Sequence, residues 1–321
     1  MAVSQVEPEL HTDDEALSVL MDADIDKVMS GLDRIIEAAP SYEKLFTRWQ
    51  RQQWNSEDFD FTEDARQWAD PDEFTEEERK FITFGFSQFF VAENSVTVEL
   101  IPFALAVPVK EAQLFLTTQI ADEAKHVVFW DRFYREVFQS TPESIGAQLA
   151  EHKSVVNDDW KTLFDGILHG CAEDLRKDPS NFGALVRGVT VYMVVIEGML
   201  ALSAARFMIK SLKERDRFPG FLAGFTAVNR DESRHVGFGV KFLADAIKDD
   251  PANAKIVEAT LKETLPVAPL VFVPPWVDDP YNFDTPFYHS SEIFAYAAKS
   301  LSKKLAAMGL DPAMLAEGAQ V

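Results

Sequence analysis

Two copies of one spacing dominate this chain: Glu93 is followed by Glu123-Ala124-Lys125-His126, and Glu197 by Glu232-Ser233-Arg234-His235. In an α-helix positions i and i+3 share a face, so each Glu-x-x-His presents a carboxylate and an imidazole together to whatever that face packs against. Each motif therefore offers half of a metal site. One such motif in an acidic helical protein is weak evidence. Here both copies are preceded by an aspartate, both sit in apolar helical segments, and both follow a solitary glutamate. Glu197 stands between Val194-Val195-Ile196 and Gly198-Met199-Leu200, so helical periodicity gives it no polar face on which to be exposed. Four buried carboxylates would repel one another severely, and two divalent cations would cancel their charge, so the cluster is tolerable in a core when metal is bound.

One glutamate on each of two helices and a Glu-x-x-His on each of two others is a ferritin-like arrangement. The expected fold class is accordingly all-α, a ferritin-like four-helix bundle core with additional helices. The 321 residues exceed a minimal bundle and suit one large helical domain, expected over 13–308, with a disordered N-terminus over 1–12 and a flexible C-terminus over 309–321. With 47% hydrophobic residues and 26 Phe against 14 Gly, the chain can bury a large core. A net charge of −22 argues against a nucleic-acid partner, because phosphate recognition needs basic surface. The single Cys171 cannot form an intramolecular disulfide, the first ten residues lack the basic and apolar run of a signal peptide, and no stretch reaches 18 uninterrupted apolar residues. The expectation is a cytoplasmic protein with no integral membrane segment.

Along the chain, an amphipathic helix is expected over 13–39, ended by Pro40, followed by an aromatic stretch of short helix and loop over 42–74. Thr75-Glu76-Glu77-Glu78 reads as a capping box opening the helix that carries Glu93 and runs toward Pro102. A second helix over about 109–138 holds Glu123 and His126, and Thr141-Pro142 is expected to start a third. Ser180 is the expected cap of a helix over 181–212 with Glu197, and Phe218 onward carries Glu232 and His235. Six prolines between Leu265 and Pro286 exclude a long regular helix there, and a last amphipathic helix is expected over 290–308.

These residues resemble a known group, the ligand-binding oxidases related to the small subunit of ribonucleotide reductase. The resemblance spans about 54–238. It is carried by the run from Trp54 to Trp68, the run from Gln88 to Phe103, Glu123-Ala124-Lys125-His126, Val191-Tyr192 with Ile196-Glu197-Gly198-Met199-Leu200, and Arg230-Asp231-Glu232-Ser233-Arg234-His235. It implies that Glu93 and His126 hold a first metal, manganese, and that Glu197 and His235 hold a second, iron, with Glu123 and Glu232 bridging. It also implies that Asp231 fixes the His126 ring, as a ligating imidazole requires. By ligand type alone the site also accepts two irons. The resemblance further implies molecular oxygen as co-substrate, a long-chain fatty acid with its carboxylate at the metals, two-electron oxidation, a homodimer, and a covalent ether link between Val96 and Tyr192. Val96 shares the face of Glu93, three residues away. Tyr192 lies five residues from Glu197, roughly 140° around an ideal helix, so facing the metals requires a distortion such as a π-bulge. Asn94-Ser95 depart from the acid and alanine more usual beside the first ligand.

Two other functions compete. A radical-generating reductase subunit would carry its tyrosine four residues after the first histidine, where this chain has Trp130, and would end in a tail bearing an aromatic, whereas none follows Tyr296. A metal-storage bundle would be far shorter and would need neither the Trp54 region nor the proline-rich segment.

Overall fold

The computed structural model describes residues 25–315. The expected disordered 1–12, the first half of the expected 13–39 helix and the end of the C-terminal tail lie outside the described residues. Within them the chain is helical without a strand, apart from one isolated bridge between Asp284 and His289. In chain order the helices are α1 (Ile25–Ala38), α2 (Tyr42–Arg51), α3 (Thr62–Ala69), α4 (Glu76–Ala106, with a joint at Leu100), α5 (Lys110–Glu136), α6 (Ile145–Lys153), α7 (158–177), α8 (Phe182–Lys213), α9 (Pro219–Asp249), α10 (Ala252–Thr264) and α11 (Ser290–Ala307).

The bundle core is α4, α5, α8 and α9: α4 lies along α5, and α9 packs against both α5 and α8. The other helices cover it, α1 on α9 and α11 on α8. The capping box at Thr75 and Glu78 forms as the sequence indicates, with Glu78 N–H donating to Thr75 Oγ at 3.1 Å and Thr75 N–H to the Glu78 carboxylate at 2.8 Å. Two expected starts move. Helix α6 begins at Ile145 rather than Thr141, because Arg135 holds the Pro142 carbonyl at 2.8 Å and Ser144 Oγ accepts from Ala147 N–H. Ser180 spends its hydroxyl on Asp178 at 2.6 Å, so Asn181 caps α8 instead, accepting from Ala184 N–H at 3.0 Å.

Aromatic rings crowd the contact between α4, α5 and the first turns of α9. Phe221 stacks on Phe86 at 4.5 Å between ring centroids and also meets Trp130 and Phe133 at 5.3 and 5.0 Å. Gly224 is required there, since a Cβ would lie 2.2 Å from the Phe129 ring. The N-terminus of α9 is capped from another element: the buried Asp64 carboxylate of α3 accepts from Gly220 N–H (2.9 Å) and Phe221 N–H (2.7 Å). By length and composition α4 and α8 are apolar enough to cross a membrane, but the apolar window of α8 is 89% buried inside the protein, which accounts for its composition; that of α4 is 44% buried.

Candidate metal centre

The four core helices bring the six repeated residues together. Glu93 comes from α4, Glu123 and His126 from α5, Glu197 from α8, and Glu232 and His235 from α9, all buried. Two groups form, Glu93, Glu123, His126 and Glu232, and Glu123, Glu197, Glu232 and His235, in each of which one candidate ligand atom per residue lies within 4.8 Å of the others. Glu123 and Glu232 belong to both, and their individual oxygens divide accordingly. Glu123 puts Oε2 3.3 Å from His126 Nδ1 and Oε1 3.1 Å from His235 Nδ1. Glu232 puts Oε1 3.3 Å from His126 Nδ1 and Oε2 3.6 Å from His235 Nδ1. Glu93 approaches only His126 Nδ1, at 3.3 Å, and Glu197 only His235 Nδ1, at 3.4 Å. Two cations placed side by side there would have two carboxylates in common.

The donor set fits metal rather than a closed ion-pair network. His235 Nδ1, Glu197 Oε2 and Glu232 Oε1 are buried and make no hydrogen bond, although oxygens stand 3.1–3.6 Å from that nitrogen. These close approaches lack hydrogen-bond direction; lone pairs converge on common space instead.

Burial pushes the Glu93 carboxyl up to about 8, partly opposed by His126 and reinforced by Glu123 and Glu232. Burial and the charge of Glu232 drive Glu197 well above the usual carboxylate range. For Glu123 burial acts upward but His235 and His126 outweigh it, and the carboxyl falls well below that range. Burial alone would lower both imidazoles, yet Glu93 beside His126 and Glu123 beside His235 raise them well above the ordinary histidine value. Without metal, folding is therefore linked to protons. Glu93 binds its proton more tightly folded than unfolded, so its contribution to stability is fully present below about 4.5, the unfolded value, and is lost as pH rises through about 8. Metal must displace these protons, so loading at neutral pH is expected to release at least one proton per chain and to tighten as pH rises from 6 to 8 (about two units). Titration calorimetry in two buffers of different ionisation enthalpy reads this, and buffer-independent heats would refute it.

Each histidine is oriented from behind by the aspartate of the opposite motif. His126 Nε2 lies 3.4 Å from Asp231 Oδ2, and His235 Nε2 lies 3.3 Å from Asp122 Oδ2. Arg234, itself fully buried, donates to both aspartates (2.9 Å to Asp122, 2.6 Å to Asp231), Lys125 reaches both (2.8 and 3.2 Å), Trp54 Nε1 donates to Asp231 at 2.8 Å, and Trp49 Nε1 to Asp122 at 3.1 Å. Asp122 was not singled out from the sequence, although the aspartate before each Glu-x-x-His was the signal for it. Asp122, held by these partners, fixes the His235 tautomer, so Asp122→Ala is expected to weaken metal binding about 10–100-fold with the fold retained, read as metal content after dialysis.

The segment Thr190–Ala201 of α8 is π-helical, and Leu202 N–H reaches back to the Glu197 carbonyl. Hydrogen bonds spanning five residues bring i and i+5 toward one side. The Tyr192 hydroxyl accordingly donates to Glu123 Oε1 at 2.6 Å, and Gln119 Nε2 donates to both Tyr192 Oη (3.3 Å) and Glu197 Oε1 (3.0 Å). The next residue, Gly198, admits a buried lysine: its missing Cβ would lie 2.6 Å from Lys304 Cε of α11. Lys304 Nζ donates to Ser300 Oγ at 2.7 Å, and Ser300 Oγ to the Gly198 carbonyl at 3.0 Å.

A cavity of about 410 Å³, including the space at its mouth, lies beside the cluster, lined by Val96, Tyr192, Glu93, Glu123, Glu197 and Glu232 among others. A second, of about 870 Å³ including the space at its mouth, shares Phe89, Ala92, Ile196 and Ala201 with it and extends away between α4, α7, α8 and the 265–289 segment. Its walls are almost wholly apolar.

The sequence profile of the family described as ribonucleotide reductase, small chain, matches residues 38–267. The chain belongs to that family. Within the reductase small-chain family its likeness extends to solved structures of a ligand-binding oxidase. A variant of that oxidase with an anaerobically reconstituted Mn/Fe cofactor is 26% identical, with a TM-score of 0.69, over 84% of this chain and 93% of the other. A variant with an aerobically reconstituted Mn/Fe cofactor is also 26% identical, with a TM-score of 0.70, over 85% of this chain and 98% of the other. A third, described with a non-activated Mn/Mn cofactor after aerobic reconstitution with Mn and Fe, gives 26% and 0.70 over 85% and 94%. The suspected kinship with the ligand-binding oxidases and the all-α fold both hold.

Proposed function

We propose that this reductase small-chain relative is an oxygen-activating dinuclear oxidase holding manganese and iron. In this reading Glu93 and His126 would hold manganese, Glu197 and His235 would hold iron, Glu123 and Glu232 would serve both, and Asp231 and Asp122 orient the two rings. The observation that carries it is the division of oxygens, one oxygen of each shared carboxylate toward each imidazole. When bound, the metal pair supplies oxygen activation, each ion being able to give one electron while the protein side chains give two more as oxygen is reduced to water.

The chain's own residues set what is oxidised. Val96 and Tyr192 border the same cavity as the four glutamates, which supports an ether link between them: a valine C–H and the tyrosine O–H break, a C–O bond forms, and two hydrogens with two electrons pass to oxygen. Glu123 Oε1 already accepts the Tyr192 hydrogen bond and so stands ready for that proton. The apolar extension beyond Ala92 and Ile196 supports a long-chain fatty acid whose carboxylate faces the metals, and its phenylalanine-rich wall keeps water from the reacting centre. An exposed apolar strip, Val98, Ile101, Leu105, Val109 and Leu114, supports pairing of two copies.

The test is anaerobic loading with manganese and iron, then oxygen, followed by peptide mapping. The reading expects the peptides holding Val96 and Tyr192 joined with loss of two hydrogens. Unmodified peptides over an oxidised metal pair would favour a radical-generating subunit, or an oxidase of different substrate chemistry, instead.

A further inference from the structure

The large cavity holds a polar group that the fatty-acid reading does not use. Among the α4 residues that line it, Phe81, Gly85, Gln88 and Ala92, with Val96 continuing at the metal end, are spaced as one stripe along the helix. Every member but Gln88 is apolar. The Gln88 side chain is 9% exposed and hydrogen-bonds to none of the described residues, while the backbone of its helix is internally satisfied. The amide opens onto the cavity, where water can serve it until an apolar chain fills the space; such a chain would leave its donors and acceptor unused, which is costly, and the walls around it, mostly Phe, Ile, Leu, Met and Ala, offer no protein partner. A glutamine in that stripe is explained by a ligand that brings the partner.

We infer that Gln88 recognises an oxygen function partway along the bound chain, so that the preferred ligand is an oxygenated long-chain acid, a hydroxy or oxo acid, rather than a plain saturated one. The inference rests on the proposed fatty-acid site. Gln88 lies five residues before Glu93, about 7.5 Å along the helix axis. An extended chain advances roughly 1.2 Å per bond, so the oxygen function falls about six bonds from the carboxylate, well inside the chain. The amide can donate to a ketone or both donate to and accept from a hydroxyl, so either group satisfies it. The far end of the cavity repeats the pattern more weakly: Ser211 and Tyr288 also line it, and neither side-chain hydroxyl is bonded to a described residue.

The test is competition on the metal-loaded protein, displacing a fluorescent long-chain acid with octadecanoic acid and with hydroxyoctadecanoic acids whose hydroxyl lies next to the carboxylate, about six bonds along the chain (the mid-chain acid), or at its far end. The mid-chain hydroxy acid is expected to bind about tenfold more tightly than octadecanoic acid, equivalent to about 1.4 kcal/mol. Gln88→Leu is expected to erase that preference and to bind octadecanoic acid at least as well as the parent protein. If the parent binds plain and hydroxylated chains equally, or if Gln88→Leu keeps the preference, the inference falls while the fatty-acid reading stands. If no long-chain acid displaces the probe, both fall.

Discussion

Glu232→Ala is expected to leave a folded chain that no longer retains two metals. The residue faces both imidazoles, one oxygen toward each, so its loss removes a ligand from both positions at once and should weaken binding by more than the roughly 10–100-fold typical of losing an orienting partner. Its stability signature has two opposite signs. Metal-free, the variant sheds a buried carboxylate that repels Glu197 and whose Oε1 makes no hydrogen bond, and should melt higher than the parent. With metal in thousandfold excess over its dissociation constant the parent gains about 4 kcal/mol, on the order of 5–15 °C, which the variant forgoes. Melting curves with and without metal should therefore reverse the order of the two proteins. An alanine variant that melts lower than the parent in both conditions would mean that Glu232 serves a packing role and not a metal.

Tyr192→Phe is expected to abolish the joined peptide completely while leaving metal content unchanged. The phenyl ring fills the same space, and what disappears is the O–H that donates to Glu123 and accepts from Gln119, a loss of about 1–2 kcal/mol in stability. Without that oxygen no ether can form. Joined peptides persisting in Tyr192→Phe would show that another side chain is the partner of Val96, or that the link is of a different kind.

How much of this could be read from the sequence follows from how each signal is written. The six repeated residues were legible because i and i+3 share a helical face, and the helices carrying them need only be long and apolar. Asp122 was legible in the duplicated aspartate but its cross-motif target was not, because which histidine it supports depends on how α5 and α9 face each other. The π-helical turn of α8 leaves no mark in the apolar pattern: from Val191 to Leu200 every residue is buried, so no apolar period distinguishes a five-residue hydrogen-bond register from a four-residue one. Only the awkward angle between Tyr192 and Glu197 pointed to it. The caps at Ser144 and Asn181 were missed in favour of Thr141 and Ser180 because neighbouring Ser, Thr and Asn are equally good caps locally, and the choice is made by Arg135 and Asp178. The buried Lys304 was illegible for a similar reason, since its burial depends on the space that Gly198 leaves on another helix.

The central claim is that two metal ions sit side by side between these four helices. Crystals of the protein loaded with manganese and iron, measured by anomalous diffraction on either side of both absorption edges, test it most directly. The account predicts two anomalous peaks, a manganese peak beside Glu93 and His126 and an iron peak beside Glu197 and His235, with Glu123 and Glu232 reaching both. A single peak, or peaks away from these residues, would contradict it.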